Sequence, residues 1–253
     1  MEVKENKYKE WKIYSPFGKE EVLLENIGKR IIDNDFKLIK ILKDTKRNYV
    51  AIIEIEKTKY ILKEFRSEVI IPQRYIQTIF KDGEALTTLK NGLEAIEEGI
   101  DELVKPLIAL VKKNWMIEKS YLLMEYIEGS RIETKEDIDK IIKLIKKVHQ
   151  LGRYHGDLNT SNFIKLNNEI KMIDTQIKKE KILFFKRAYD IFTLEEDILV
   201  SRYLFYDVEK EYGNIRKGLG YFIAKSIKNI KKLKIINIIK KQKKKLRNKG
   251  WKI

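Results

Sequence analysis

An α+β chain in two parts is the fold class this sequence predicts: a small antiparallel sheet over residues 1–125 and a mainly helical part over residues 126–253. Three observations carry that reading. Strand-like apolar runs joined by short polar turns crowd the first part. A helical stripe opens the second. Between them a buried-looking strand, Tyr121-Leu122-Leu123-Met124-Glu125-Tyr126-Ile127-Glu128, runs into a turn at Gly129, where the chain would cross from one lobe to the other.

The strands follow in order. Residues 36–42, 49–55 and 60–65 are three such runs, separated by polar turns at 44–48 and 56–59, and the third, Tyr60-Ile61-Leu62-Lys63-Glu64-Phe65, alternates apolar and polar. Residues 81–100 predict a helix with Leu86, Leu89, Leu93 and Ile96 in an apolar rhythm, although Gly83 and Gly92 lower its propensity. Residues 135–150 predict a second helix, with Ile138, Ile141, Ile142, Ile145 and Val148 on one face. Beyond it, residues 163–166 and 169–173 form a hairpin across Asn167-Asn168, a pair that tolerates positive φ.

The stretch around that hairpin holds the chemistry. His155-Gly156-Asp157-Leu158-Asn159-Thr160-Ser161-Asn162 precedes it, and Asp174 closes its second strand. An aspartate five residues before an asparagine on a tight loop supplies one carboxylate to orient or deprotonate an attacking hydroxyl and one amide to hold a metal ion. A second aspartate, brought alongside by the hairpin, would hold Mg²⁺ against nucleotide phosphates. Phosphoryl transfer needs little covalent help, because positioning and charge neutralisation lower its barrier. Asp157 is therefore the candidate catalytic residue and Asn162 with Asp174 the candidate metal ligands. Lys63, on the third strand, is the candidate for the α and β phosphates of ATP, and backbone groups near Glu125 and Ile127 for the adenine edge. Together these features predict a two-lobed protein-kinase-like fold.

The whole chain resembles the lipopolysaccharide core heptose(II) kinase family, a bacterial branch of the protein-kinase-like superfamily. The likeness runs through Tyr8-Lys9-Glu10, the helix around 21–32, Ile61-Leu62-Lys63, Met124 to Gly129, Gly156-Asp157, Ile173-Asp174 and the basic tail after Tyr212-Gly213. It implies ATP-dependent, Mg²⁺-dependent phosphorylation of a heptose hydroxyl in the inner core of lipopolysaccharide. In kinase-like folds a helix glutamate pairs with the strand lysine; Glu84, Glu94 and Glu97 all qualify, and Glu84 is favoured. An aspartate opening the next large helix receives hydrogen bonds from the catalytic-loop backbone, a supporting role that falls to Asp190, with a helix N-cap as the competing reading. His155 would orient the loop.

Several positions depart from the protein-kinase pattern. The first turn reads Lys43-Asp44-Thr45-Lys46-Arg47-Asn48 in place of a glycine-rich loop, so Lys46 or Arg47 would supply charge to the phosphates. Asp174-Thr175-Gln176 lacks the phenylalanine and glycine of Asp-Phe-Gly, which removes an apolar on/off switch. Gly156 stands where many protein kinases have arginine, and Asn159 where they often have lysine. Such an enzyme would be constitutively active.

Composition bounds the rest. The 253 residues suffice for two lobes, and the absence of cysteine excludes disulfides and thiolate metal sites. Two histidines exclude a histidine-rich metal centre. No signal peptide is visible in the charged first ten residues, and no apolar run approaches the about 18 residues of a spanning helix. A cytoplasmic protein is expected, peripheral at the inner face of the inner membrane. The formal net charge is +16, and residues 221–253 hold 13 Lys and Arg and no acid, so that without them it falls to +3. Isoleucines and leucines recur among those lysines, which predicts a basic amphipathic helix able to lie on anionic lipid. A final helix packed on the second lobe with solvated lysines is the plainer alternative.

Two other readings stay in view. A kinase of another acceptor, a protein serine/threonine or a small molecule, keeps the fold, but a cationic substrate suits this charge less well than an anionic saccharide. A nucleic-acid-binding protein or non-catalytic scaffold would use the lysines alone; no recognised nucleic-acid motif accompanies them, and Lys63, Asp157, Asn162 and Asp174 are all present. No nucleic-acid partner is expected.

Overall fold

The computed structural model describes residues 2–180, 185–203, 206–213 and 218–232. Among the described residues the chain separates into two compact units, one formed by residues up to 99 together with 104–127, the other by 100–103 together with the described residues of 128–232.

The first unit is built on a seven-stranded sheet. Its elements are β1 (Val3–Tyr8), β2 (Trp11–Pro16), α1 (Glu21–Ile32), β3 (Lys37–Asp44), β4 (Tyr49–Ile55), β5 (Thr58–Glu64), α2 (Ser67–Ile70), α3 (Pro72–Gln77), α4 (Gly83–Glu97), β6 (Pro106–Lys113) and β7 (Ile117–Glu125). The strands lie in the order β1-β2-β6-β7-β5-β4-β3, every pair antiparallel. Strand alternation gives the sheet two apolar faces. Leu24, Ile27 and Ile31 of α1 cover Ile53, Leu62, Leu110 and Leu123 on one side. On the other, Ala85, Leu86, Leu89 and Leu93 of α4 cover Ala109, Val111 and Leu122, with Phe65 in the same layer. Leu62 faces α1, so Lys63 faces the α4 side, and its Nζ lies 4.8 Å from the Phe65 ring centre.

Three strands were expected before Glu64, and the structure adds the pair β1 and β2 ahead of them. That pair is hard to read in sequence. Its turn, Lys9-Glu10, lacks the usual glycine or asparagine although Lys9 has φ +53°, and β1 is nowhere fully buried. At the opposite edge β3 is exposed along its whole length. Two register shifts against β4 and lysines at 37, 40 and 43 discourage pairing with another sheet.

The second unit is mainly helical: α5 (Lys135–Gln150), β8 (Arg153–Tyr154), a 3₁₀ turn (Thr160–Asn162), β9 (Phe163–Leu166), β10 (Glu169–Met172), β11 (Lys178–Lys179), α6 (Phe185–Glu195), α7 (Ile198–Arg202), α8 (Val208–Tyr212) and α9 (Leu219–Lys232). Helix α5 starts in a capping box, in which Thr134 accepts from Asp137 N–H and Asp137 accepts from Thr134 N–H. Burial disfavours the Asp137 carboxylate, but Lys165 and those backbone donors outweigh it and hold the group down at about 2. The predicted hairpin is β9 and β10, with Asn167 at φ +54° in its turn. Gly129 lies against it so closely that a Cβ there would meet Lys165 O at 2.6 Å, and Ser130 pairs with Lys165 through two 2.9 Å backbone hydrogen bonds.

The first part of the basic tail is a helix with one face buried. Tyr221 and Ala224 of α9 pack on Ala188 and Phe192 of α6. Lys228 is tucked 4.7 Å over the Tyr189 ring and bonds Glu196 at 2.6 Å. Lysine remains solvated at Lys225, while Phe222 and Ile230 are exposed apolar groups. The apolar and basic positions expected from 233 onward lie outside the described residues. No described helix is long and apolar enough to cross a membrane.

Candidate active site

The loop that carries the candidate catalytic residue, 155–162, hangs from one buried carboxylate. Asp190, 1% exposed, accepts from His155 N–H at 2.6 Å and from Gly156 N–H at 2.9 Å. His149 Nε2 lies 3.3 Å from the same group, and its Nδ1 lies 2.8 Å from the Tyr212 hydroxyl. Since a carboxylate only accepts, Nε2 is the donor to it, and Nδ1 pairs with a tyrosine hydroxyl that can donate or accept. Asp190 was expected to open its helix; it sits instead at the sixth position of α6, which rules out the N-cap alternative. Gly156 has φ +92°, a conformation that an L side chain resists.

His155 is 4% exposed and packs on Phe163 with ring centres 5.5 Å apart. Burial pushes its imidazole below the ordinary value of 6.5, against the opposing pull of Asp190, Asp157 and Asp174. The ring is thus held neutral, and Nδ1 accepts from Asp157 N–H at 3.3 Å. Through that bond the ring contacts the backbone of the 155–162 loop.

Asp157, Asn162 and Asp174 are drawn together by short bonds. Asn162 Nδ2 donates to Asp157 O at 2.8 Å, and Ile173 N–H donates to Asn162 O at 2.9 Å, which fixes Asp174 one residue further on. Asn162 is 8% exposed, whereas the carboxylates of Asp157 and Asp174 face outward. With its amide nitrogen committed, Asn162 has Oδ1 left to offer. An amide oxygen and a carboxylate are hard donors of the kind Mg²⁺ takes when phosphate oxygens and water complete its shell. No cluster of three or more His, Cys, Asp or Glu stands ready as an all-protein metal site among the described residues. Asp174 has φ +52°, in the left-handed region.

Thr175 does what no phenylalanine could. Its hydroxyl donates to His155 O at 2.9 Å and accepts from Ile177 N–H at 2.9 Å, so the segment after Asp174 is stapled to the catalytic loop. Arg153 is wholly buried and donates to Ile177 O at 2.9 Å. Neither Arg153 nor the hydroxyl staple was singled out from sequence. In a chain of which 36% is charged, nothing marks one arginine as buried.

In the sheet unit, Lys63 is half-buried on β5. Glu84 lies in the first turn of α4 and its carboxylate bonds Arg74 at 2.5 Å. Beneath it is a carboxylate that sequence reading missed: Glu68, 3% exposed, accepts from Glu84 N–H at 2.5 Å and from the Ser120 hydroxyl at 2.8 Å. Burial raises its carboxyl above the ordinary range. Glu68 therefore ties the start of α4 to β7. The turn at 44–48 offers little backbone to phosphate, because the Thr45 hydroxyl takes Arg47 N–H at 3.3 Å and Asn48 N–H at 3.1 Å. Arg66 clamps the same turn through Asp44 and Thr45 O. Glu125 N–H is spent on Lys105 O at 3.1 Å, which leaves the Glu125 carbonyl and the Ile127 backbone as the groups that would meet an adenine edge.

Beside Asp157, within the helical unit, opens a cavity of about 860 Å³ whose wall includes Asn159, Ser161, Arg131 and Arg202. A loop aspartate beside a cavity, five residues from a buried asparagine whose carbonyl is bonded next to a second aspartate, is an arrangement suited to a phosphotransferase.

Comparison with known proteins narrows the class. The lipopolysaccharide core heptose(II) kinase WaaY of Escherichia coli strain K12 is 25% identical over 206 residues, 78% of this chain and 82% of that one. A second Escherichia coli protein of that name is 22% identical over 214 residues, 82% of this chain and 90% of its own length. The kinase domain of PknI from M. tuberculosis is similar at a TM-score of 0.41 and 10% identity, covering 61% of this chain and 68% of that one. The family described as lipopolysaccharide core biosynthesis protein (WaaY) matches residues 2–245, and the chain belongs to it.

Proposed function

We propose that the protein transfers the terminal phosphoryl group of ATP to a heptose hydroxyl in the inner core of lipopolysaccharide. The observation that carries this reading is Asn162 bonded to Asp157 and, through its carbonyl, to Ile173 beside Asp174, in a chain that matches the lipopolysaccharide core biosynthesis family over nearly its whole length. Asp157 orients the acceptor hydroxyl and takes its proton. Lys63 holds the α and β phosphates, with Lys46 or Arg47 as added charge from the turn that replaces a glycine loop. Asn162 Oδ1 and the Asp174 carboxylate would hold Mg²⁺, which when bound neutralises phosphate charge. Asp190, Thr175 and His155 keep Asp157 in place without touching substrate.

The test is mass spectrometry of the lipopolysaccharide core from cells with and without the gene, beside a reaction of the purified protein with Mg-ATP and dephosphorylated core. One phosphate gained on a core heptose, and lost with Asp157→Asn, is the expected result. Asp157→Asn should lower turnover by roughly a hundredfold or more with nucleotide affinity kept, whereas Asp174→Asn should also weaken metal-dependent nucleotide binding. Asp157-dependent ATP turnover with an unmodified core would move the acceptor elsewhere.

The basic tail places the enzyme on the inner leaflet, where a lipid-linked saccharide is presented, and its cluster of lysines is what supports this. Because α9 buries Tyr221 and Ala224, the informative truncation falls after Lys232 and leaves that packing intact. Undiminished co-sedimentation of the truncated chain with anionic vesicles would exclude the tail as the anchor.

A further inference from the structure

The chain has 44 lysines and only 10 arginines, so charge for its own sake is carried by lysine. The arginines are used differently. Eight lie among the described residues, and five of them bond protein groups through the guanidinium: Arg30, Arg66, Arg74, Arg153 and Arg187. The side chains that make no such bond are Arg47, on the turn discussed above, and Arg131 and Arg202, both on the wall of the Asp157 cavity. The acids beside them are largely spoken for. Asp197 accepts from Thr160 N–H at 3.0 Å, the Thr160 hydroxyl at 3.0 Å and Leu199 N–H at 2.8 Å, and Glu196 bonds Lys228 at 2.6 Å. Glu133 and Asp157 are the remaining carboxylates of the wall.

A guanidinium presents a rigid fork of donors matched to carboxylate and phosphate oxygens. Two such forks with no bonding partner among the described residues, on the wall of a cavity that includes Asp157, leave room for oxyanions from outside. They also offset the repulsion that Asp157 and Glu133 would exert on an anionic molecule. We infer that Arg131 and Arg202 form the acceptor-recognition site for an anionic saccharide, binding a phosphate or carboxylate group that the acceptor already carries while Asp157 meets its free hydroxyl. The inference rests on the kinase reading of Asp157 and adds the substrate feature that the site selects.

The test uses the full-length protein saturated with a non-hydrolysable ATP analogue and Mg²⁺, which occupies the nucleotide phosphate positions. Glucose 6-phosphate, glucuronate and glucose are titrated separately by ligand-observed NMR. At least one of the two anions should bind roughly tenfold tighter than glucose, phosphate and carboxylate being told apart by which sugar it is. That preference should vanish in the Arg131→Ala, Arg202→Ala double variant, return in part with lysine at both positions, and survive in Asp157→Asn. In turnover of deacylated core, the double variant should raise the acceptor KM by roughly tenfold or more, with a much smaller fall in kcat. Acceptor stripped of its phosphates or with its carboxyl groups reduced should erase the difference between wild type and variant. Equal binding of all three sugars, or an anion preference that outlasts the double substitution, overturns the proposal. Intact anion selectivity with no phosphate gained on the core would leave this site standing and remove the lipopolysaccharide acceptor instead.

Discussion

Replacing Asp190 by alanine should detach the catalytic loop from its support, and the size of the effect follows from counting donors. Three point at this carboxylate: His155 N–H at 2.6 Å, Gly156 N–H at 2.9 Å and His149 Nε2 at 3.3 Å. All three lie around a group that is 1% exposed. A buried donor left unsatisfied costs about 1–3 kcal/mol, so the variant should lose about 3–9 kcal/mol, with entry of a water into the vacated volume favouring the lower end. Against a total of about 5–15 kcal/mol for a folded domain, that is a large fraction. Asp190→Asn keeps one acceptor oxygen but turns an amide N–H₂ toward the remaining donors, and should fall between wild type and alanine. Urea denaturation of the purified protein measures the loss, with Asp157→Asn as the control because that carboxylate faces solvent. Turnover should fall with stability in the Asp190 variants, whereas in Asp157→Asn it falls alone. A midpoint shift worth less than about 1 kcal/mol in Asp190→Ala would refute the reasoning, since not even one donor would then depend on the carboxylate.

Other consequences follow from the same geometry. Thr175→Val removes both the donor to His155 O and the acceptor for Ile177 N–H, and should cost about 2–4 kcal/mol by the same urea assay; a neutral result would mean that the hydroxyl staple is not formed. Gly129→Ala puts a methyl 2.3 Å from Ile164 Cγ2 and 2.6 Å from Lys165 O, and the backbone oxygen has nowhere to move without breaking the pairing at Ser130. A loss of about 1–3 kcal/mol or more is expected in thermal unfolding. Glu68 gives a pH dependence. Burial holds its folded pKa above the ordinary 4.5, so the folded chain keeps that proton more tightly than the unfolded one. Its contribution is therefore most favourable below the unfolded value and declines as pH rises from there through the folded pKa. Glu68→Gln, which can still accept from Glu84 N–H and donate to the Ser120 hydroxyl, should flatten that decline in urea midpoints taken from pH 4 to 8 at roughly unit steps. Parallel wild-type and variant profiles would contradict it.

The legible parts of the chain are those whose information is local. An aspartate and an asparagine five residues apart, a hairpin with Asn167 in its turn, a helix with isoleucines on one face and a lysine on an alternating strand are patterns of a few residues, and each took the form its pattern dictates. Family resemblance added the acceptor class, which spacing alone does not contain. Where the pattern is diluted, sequence reading fell short. The β1 and β2 pair is half-solvated and turns on Lys9-Glu10, so neither periodicity nor turn chemistry announces it.

What only the tertiary structure decided concerns charges taken out of water. Glu68 and Arg153 are ordinary letters among 92 charged residues, and each became structural because a long-range contact placed donors or acceptors around it; Asp190 was expected from family resemblance, and the fold supplied its burial and its third neighbour, His149. Thr175 was visible as a missing phenylalanine, and the fold showed the hydroxyl staple that replaces it. Arg131 and Arg202 lie 71 residues apart in the chain, and only folding set both on the wall beside Asp157. Sequence determined which reactive groups come together around residues 155–174, because groups at short spacing need only a local turn to meet. Structure decided which charges are buried and paired and which stay open on a cavity wall, because burial and pairing arise from distant segments and leave no periodic trace.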